Sequence, residues 1–256
     1  MSNVRIYVAM HKPDDHVLTI KDPIYVPIHC GKDIYKEEDY EGTGYLPELG
    51  DNTGDNISNR NLDYCELTAM YWAWKNDSDS DIIGLNHYRR YFCESENDRA
   101  ALMSRQTIEH LLIDEGYDYI INSCEFNIED YVPDDNINSV YDDYKEMHDI
   151  RDFDNVLESL YILYPDIAAK MEHMMKHNYP MSYCNMLIAK KEHFNEYASF
   201  LFSVLRYTEN NYEVNGNRAL GYVAERLFRP WLLVTNKKTI QGHELDWPTY
   251  SGYVWT

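Results

Sequence analysis

The sequence predicts an α/β fold in which a mostly parallel central sheet is flanked by helices, with a helical C-terminal part. Short β-rich segments alternate with helical segments along the chain, which is the order expected for strands joined by helical crossovers. The first of these segments, VRIYVAM at residues 4–10, is apolar almost throughout, as in strands that are covered on both faces of a parallel sheet. A chain of 256 residues fits one domain, so we expect residues 1–256 to form a single unit.

The predicted strands are short, and polar residues follow two of them closely. We place the strands at residues 4–10, 25–28, 82–85, 117–121 and 183–189. The first leads into His11 and Lys12, and the third runs directly into the sequence NHYRRYF. Open α/β sheets bind ligands at the carboxyl ends of their buried strands, so these two strand ends predict a binding site.

The predicted helices follow from apolar periodicity and from their end signals. We place them at residues 62–75, 104–116, 153–163, 165–177, 194–207 and 219–228, the last ending before Pro230. The helix at 62–75 is apolar on nearly every side, which predicts that it is buried. Glu66 is a conspicuous charge in it. Either it is a first-turn carboxylate favoured by the helix dipole, or it binds a ligand or an arginine.

The charge balance limits the possible partners. A formal net charge of -21 argues against nucleic acid and against an anionic membrane as the main partner. An anionic small ligand stays possible, because salt screens distant carboxylates over about 8 Å and local arginines then dominate. The 24 tyrosines suit either core packing or contacts with sugars.

The expected location is cytoplasmic. The five cysteines are odd in number and contain no CxxC pair, which indicates reduced thiols rather than a disulfide framework or a zinc site. No segment approaches 18 consecutive apolar residues, so no transmembrane segment is expected. Peripheral association with the inner face of a membrane stays open, as does the oligomeric state.

Two motifs compete for the role of the phosphate site. Asp77, Asp79 and Asp81 form a DSDSD run, but they precede the strand at 82–85, so we interpret them as a solvated turn and not as a metal site. Arg89 and Arg90 follow that strand, and two guanidinium groups there can neutralise a leaving diphosphate directly. Alternatively, these arginines pair with surface acids, or His87 binds a transition metal.

Several motifs together resemble one bacterial family. They are VRIYVAMHKP, PIHCG, DNTGDNIS, NLDYCELTAMYWAWKN, IIGLNHYRRYF, NMLI and GYVAERLF, and they span residues 4–233. That family was long catalogued as a domain of unknown function and occurs in capsule, exopolysaccharide and O-antigen gene sets. Its members are described as glycosyltransferases, and some resemble β-galactofuranosyltransferases that use UDP-galactofuranose. The resemblance implies a GT-A-like nucleotide-sugar fold.

The resemblance also implies roles for individual residues. The donor would be bound by residues of the first strand, of the 55–58 loop, of the 62–75 helix and of the NHYRRYF segment: Tyr7, Ala9, His11, Lys12, Asn56, Ser58, Glu66, His87, Arg89 and Arg90. Asn185 would border the acceptor, and His148 and Asp152 would frame it; His148 as a plain surface residue is the alternative.

The catalytic base is expected to be a carboxylate. Glu225 resembles the group that inverting enzymes of this kind place near the acceptor hydroxyl, where a base must lie within about 3 Å of the attacking oxygen. Asp55 is the second candidate. The competing interpretation of Glu225 is a structural ion pair with Arg226, Arg229 or Arg218.

The leading hypothesis is a hexosyltransferase that uses a UDP-sugar, with UDP-galactofuranose favoured, and a glycan or lipid-linked glycan acceptor. Whether a divalent metal takes part stays open. The alternatives are a non-catalytic module that binds nucleotides or glycans, and a phosphoryl-transfer enzyme that uses His87 and the arginines. GxSxG, Walker, HExxH and GxGxxG motifs are absent from the sequence, so hydrolase, P-loop kinase and zinc-protease chemistry has no support.

Overall fold

The computed structural model describes residues 2–35, 44–95, 98–122, 139–177 and 181–246. The strands are β1 Val4–Met10, β2 Tyr25–His29, β3 Ile82–His87, β4 Arg90–Ser95, β5 Asp98–Leu102, β6 Tyr119–Asn122, β7 Leu187–Lys190 and β8 Thr239–Asp246. The helices are α1 Asn61–Tyr64, α2 Leu67–Asn76, α3 Arg105–Glu109, α4 Val140–Met147, α5 Ile150–Leu163, α6 Pro165–His177, α7 Lys191–Asn211 and α8 Ala219–Val234. Within these ranges, no helix combines the length and the apolar character that crossing a bilayer requires.

All eight strands belong to one sheet in the order β2-β1-β3-β7-β6-β8-β4-β5. The α/β class with a central sheet between helices is confirmed, but the sheet is mixed rather than mostly parallel. Parallel pairing joins β2, β1 and β3, and also β6 and β8, whereas the remaining pairs are antiparallel. The chain direction reverses between β3 and β4, because only Tyr88 and Arg89 separate these strands and a parallel crossover needs a much longer connection.

The sheet separates two apolar clusters. Alternate residues of β1 point to opposite faces of the sheet. Tyr7 and Ala9 belong to the apolar cluster that includes α2, α7 and α8. Ile6 and Val8 belong to the cluster that includes Ile108 of α3. Burial on both faces explains why β1 is apolar almost throughout, as its sequence predicts. The carboxyl ends of β1 and β3 lie side by side, because Ala9 is in register with His87.

The predicted helix at 62–75 is broken. α1 ends at Tyr64, and Cys65 has φ 52° and ψ -131°, a conformation outside the helical region, before α2 begins at Leu67. The cause is tertiary packing: a Cβ atom on Gly221 of α8 would lie 3.1 Å from the Cys65 sulfur, so α8 approaches this break closely. The break turns Glu66 into the N-terminal cap position of α2.

Three other sequence predictions need correction. The last helix continues through Pro230 to Val234, because the burial of Trp231 and Leu232 offsets the proline cost of about 3 kcal/mol. The predicted strand at 183–189 begins with a 3-10 turn and pairs only from Leu187. No helix was predicted between 117–121 and 153–163, but α4 lies there and α5 begins at Ile150; residues 127–138 lie outside the described residues.

Candidate functional site

Two histidines mark the carboxyl ends of β1 and β3. The rings of His11 and His87 have centroids 6.2 Å apart, and both contact the ring of Tyr88, at 5.4 and 4.6 Å. The backbone N–H of Tyr88 donates to the carbonyl of Ala9 at 3.1 Å, which ties the turn after β3 to the end of β1. The strand ends that the sequence indicated are therefore joined in one place.

Both imidazoles are neutral at physiological pH. Burial, together with the charges of Lys12, Arg218 and Arg89, lowers the pKa of His11 to about 4. Burial lowers the pKa of His87 to about 3, with added repulsion from His11, Arg90, Arg89 and Arg218. The Nδ1 atom of His87 accepts a hydrogen bond from the backbone N–H of Arg89 at 3.4 Å, which leaves its Nε2 atom to carry the proton.

Four cations surround these histidines. Lys12 and Arg89 are exposed, and the Arg89 guanidinium lies 4.8 Å over the ring of Tyr88. Arg90 is half-buried and donates from Nη1 to the sulfur of Cys184 at 2.9 Å. Arg218, from the start of α8, completes the group. In a chain with 44 acidic and 23 basic residues, this concentration of positive charge forms a local anion site, which we call the cationic cluster.

A nearly buried carboxylate lies beside the cationic cluster. Oε1 of Glu225 accepts a hydrogen bond from the backbone N–H of Cys184 at 2.6 Å, and its side chain is 13% exposed. Burial, followed by repulsion from Glu66, raises the pKa of Glu225 to about 7, although Arg226 and Arg90 oppose the shift. Such a pKa suits a group that exchanges protons at neutral pH.

The alternative of a structural ion pair between Glu225 and Arg226 is present in the structure, but Arg226 has a closer partner. Arg226 lies 3.6 Å from Glu225, but its Nη2 atom is bound to Asp143 at 2.7 Å in a pair whose side chains are 4% and 8% exposed. The stronger partner of Arg226 is thus Asp143. Glu225 keeps a raised pKa despite its neighbouring arginine.

Asn185 links a second carboxylate to this site. Its Nδ2 atom donates to Oε1 of Glu66 at 2.9 Å and, more weakly, to the carbonyl of Gly221 at 3.4 Å. Glu66, Asn185 and Glu225 therefore come from three separate elements and meet next to the cationic cluster. The structure brings these three predicted residues together with His11, Lys12, His87, Arg89 and Arg90.

Backbone strain is concentrated at the same place. Among the described non-glycine residues, five have positive φ, and four of them contact this site: Cys65, Cys184, Asn185 and Arg218, with φ between 49° and 62°. Such conformations cost on the order of 1–3 kcal/mol each and occur often at functional sites, where surrounding contacts hold them. Here Glu225 and Arg90 contact Cys184, and Glu66 contacts Asn185.

Tyr7 does not reach this site. It lies in the core, and its hydroxyl donates to Asp77 at 2.8 Å. Asp77 is 4% exposed and also accepts from Ser80, so the prediction of a solvated turn is wrong for this residue. Asp77 lies before β3 and thus at the end of the strand opposite to His87, as its sequence position indicates. Ala9 contributes its backbone carbonyl to the turn, as described above.

The 55–58 loop also lies away from the cationic cluster. The carboxylate of Asp55 accepts from the hydroxyl of Tyr71 at 3.1 Å, and its backbone N–H and carbonyl both bond the side chain of Asn76. Asn76 ends α2, whereas Glu66 stands before its start, so about ten residues, or about 15 Å, of helix separate Asp55 from Glu66. Asp55 is therefore not placed with Glu225.

Asn56 and Ser58 are used within the same loop. The Oδ1 atom of Asn56 accepts from the backbone N–H of Ser58 at 3.1 Å. The Ser58 hydroxyl is buried, donates to Asp51 and accepts from the backbone N–H of Asp33 at 3.1 Å. These contacts hold the loop against Asp33 and Asp51, and the donor-binding role of Asn56 and Ser58 stays a prediction.

His148 contacts α8 at Tyr222, one helical turn before Glu225. Its ring stacks on Tyr222 with centroids 4.3 Å apart and an interplanar angle of 17°. Burial and the charge of Arg226 lower the pKa of His148, which favours a neutral ring. The acceptor contact of His148 stays a prediction.

Asp152 has a different role from the predicted contact with an acceptor. It is 2% exposed, and its two oxygens accept from the backbone N–H groups of Asn215 and Gly216 at 2.8 and 3.0 Å. Asp152 thus holds the loop that leads to Arg218.

Replacing Asp152 with alanine is expected to destabilise the fold by about 2–3 kcal/mol, because buried N–H groups lose their acceptors. Thermal or urea unfolding measures this loss. Asp154→Ala, two residues further along α5, is the control, because Asp154 is exposed and accepts from the hydroxyl of Tyr141. Equal stability of the two variants would contradict the anchoring role of Asp152.

Sequence reasoning missed Arg218 and Cys184 as members of the site. Arg218 was considered only as a partner for Glu225, and Cys184 only as a free thiol. The one available signal was the sequence NGNRAL, in which a glycine and two asparagines directly precede a helix. Among the described residues, no three His, Cys, Asp or Glu side chains are grouped as metal ligands.

Comparison with solved structures finds a glycosyltransferase. The apo structure of the bifunctional glycosyltransferase WbbM is similar with a TM-score of 0.77 and 27% sequence identity. The match covers 95% of this chain and 45% of that chain, so this chain spans less than half of its length. The predicted glycosyltransferase-like α/β fold is confirmed.

Comparison of sequences finds a family. No curated protein gives a significant match. The family described as a domain of unknown function, DUF4422, matches residues 5–237 and so covers every residue of the site. The chain belongs to this family, the domain of unknown function DUF4422, as its motifs predicted.

Proposed function

We propose that this protein is a glycosyltransferase of bacterial surface polysaccharide synthesis that transfers a hexose from a UDP-sugar to a glycan or lipid-linked glycan acceptor. Galactofuranose is the favoured sugar. The observation that carries the proposal is the placement of the cationic cluster beside Glu225, a carboxylate with a pKa of about 7. The similarity to WbbM, a bifunctional glycosyltransferase, supports the reaction class.

The cationic cluster suits the diphosphate of the donor. Arg89 and Arg90 follow β3, and each can offer two N–H groups to phosphate oxygens. His11 and His87 are neutral, so they add hydrogen-bond donors without adding charge. When the bond between the sugar and the diphosphate breaks, negative charge grows on the leaving phosphate oxygen, and these cations stabilise it.

Glu225 suits the role of base. In the proposed reaction, its carboxylate accepts the proton of the acceptor hydroxyl. The acceptor oxygen forms a bond to the anomeric carbon, and the bond from that carbon to the diphosphate oxygen breaks. Attack from the side opposite to the leaving group inverts the anomeric configuration. The backbone N–H of Cys184 orients the carboxylate through Oε1.

The experiment that tests the proposal is a transfer assay with purified protein. UDP-galactofuranose, UDP-galactopyranose and UDP-glucose are each incubated with a glycan primer, and UDP release and the elongated primer are measured together. We expect both products in equal amounts with at least one donor. UDP release without an elongated primer would indicate hydrolysis, and inorganic phosphate would indicate phosphoryl transfer. Stabilisation by UDP with no product from any donor would favour a binding module.

The rate is expected to depend on pH through Glu225. Because the base acts as a carboxylate, kcat/KM should rise as pH increases through about 7 and level off above it. The charged groups that act on Glu225 are Glu66, which raises its pKa, and Arg226 and Arg90, which lower it. Glu66→Gln should therefore move the midpoint to lower pH. A pH–rate profile of both proteins measures the shift, and an unchanged midpoint would contradict this assignment.

A further inference from the structure

Arg218, the member of the cationic cluster that precedes α8, is held in an unusual conformation. It directly precedes α8 with φ 62°, a left-handed conformation that disfavours side chains other than glycine, asparagine and aspartate. Its backbone N–H donates to the carbonyl of Leu62 at 3.1 Å, which fixes its position. Its Nε atom contacts the sulfur of Cys65, the neighbour of Glu66; Glu66 is bonded to Asn185, whose neighbour Cys184 contacts Arg90, so this chain of contacts links Arg218 to the Arg89–Arg90 turn. The charge of Arg218 also lowers the pKa values of His11 and His87.

The contacts of Arg218 within the protein do not account for its charge. Its Nε atom donates to the sulfur of Cys65 at 3.1 Å, and its guanidinium lies 5.3 Å from the ring of Tyr222. The thiol of Cys65 is neutral, because burial and Glu66 raise its pKa to about 12. Glu66 attracts Arg218 through space, but within the described part of the chain no carboxylate forms an ion pair with it.

Two other arginines of this acidic chain have close carboxylate partners. Arg60 contacts Glu209 at 2.9 Å, and Arg226 contacts Asp143 at 2.7 Å. A strained backbone that presents an arginine to the cationic cluster, away from available carboxylates, is an arrangement for an anion. The planar fork of a guanidinium matches phosphate oxygens in particular.

We infer that Arg218 is a third arginine ligand of the diphosphate, contributed by the start of α8 opposite the Arg89–Arg90 turn. The identification of this diphosphate with that of a nucleotide sugar rests on the proposed function. The geometry adds a consequence. Arg218 directly precedes α8 and Glu225 lies seven residues further along the chain, within α8, so about 10 Å of helix separates their backbones. One rigid helix thereby sets the spacing between the leaving group and the base.

Arg218→Gly is the variant that tests the inference. Glycine adopts positive φ without strain, so the melting temperature of the ligand-free variant should equal or exceed that of the wild type. Binding of pyrophosphate and of UDP is measured by calorimetry. Loss of one charge-assisted contact should weaken both ligands by about ten- to a hundredfold. Retained stability together with lost binding excludes misfolding as the cause.

Arg60→Ala is the matched control, since Arg60 is an arginine near α1 with carboxylate partners, and it should bind both ligands like the wild type. Pyrophosphate binding by Arg218→Gly equal to that of the wild type would overturn the inference, as would a wild-type protein that does not bind pyrophosphate. The proposed function fails separately. If Arg218→Gly loses pyrophosphate binding but the wild type transfers no sugar from any nucleotide donor, the ligand assignment stands and the reaction is wrong.

Discussion

Replacing Glu225 with glutamine is expected to lower turnover by about 10²- to 10⁴-fold, the usual contribution of a positioned base. Glutamine keeps an oxygen that can accept from the backbone N–H of Cys184, which Glu225 does at 2.6 Å. The site geometry is therefore retained, and only the proton acceptor is lost. UDP binding should be unchanged, because the cationic cluster is untouched. Steady-state rates and UDP titrations of the same preparation measure the two effects.

The same variant has an expected signature in stability. Burial and Glu66 raise the pKa of Glu225 in the folded protein to about 7 from an ordinary 4.5. Between these two values the folded state binds more protons than the unfolded state, so this carboxyl lowers stability as pH rises through that window. Glutamine does not titrate. Glu225→Gln should therefore be more stable than the wild type above pH 7, on the order of 1–3 kcal/mol, and lose this advantage at low pH.

Glu192→Gln is the control for both measurements, because Glu192 lies in the first turn of α7 and its side chain is 74% exposed. It should change neither turnover nor the pH dependence of stability. Full turnover in Glu225→Gln would eliminate Glu225 as the base.

Replacing Arg90 with alanine should reduce the stabilisation by UDP and lower kcat/KM by about ten- to a hundredfold, the loss expected for one charge-assisted contact to phosphate. Arg90 is half-buried and donates to the sulfur of Cys184 at 2.9 Å, so its guanidinium is already oriented before a ligand arrives. A preorganised cation stabilises the leaving diphosphate without further cost. Thermal shifts with UDP and steady-state kinetics check this result.

A second readout separates Arg90 from a purely structural residue. Arg90 lowers the pKa of Glu225, so its removal should move the midpoint of the pH–rate profile to higher pH. Glu66→Gln should move the midpoint in the opposite direction. Arg60→Ala, which removes an arginine paired with Glu209, should leave both the midpoint and the UDP response unchanged. If Arg90→Ala keeps the full response to UDP, the role of the NHYRRYF segment in phosphate binding is wrong.

Some of the site could be predicted because it depends on local connectivity. His87 is the last residue of β3, and Arg89 and Arg90 follow it closely in sequence, so the position of this strand end fixes the position of all three residues. His11 and Lys12 have the same relation to β1, and parallel pairing brings the two ends together. The 55–58 loop is different, because its position depends on contacts with Asn76 and Tyr71, far along the chain. Sequence order therefore could not place Asp55, Asn56 and Ser58 relative to the two strand ends.

The candidate carboxylate at position 225 was indicated by the resemblance to a family. From residue order alone, the chain specified its α/β class and the two polar strand ends. Those features rest on short-range periodicity, which each segment carries with it. Long-range packing decided the rest: the break at Cys65, the left-handed backbone at Cys184, Asn185 and Arg218, and the anchoring of the 215–216 loop by Asp152. These backbone conformations are unfavourable in isolation and persist only because distant elements hold them in place. No local sequence pattern therefore predicts them.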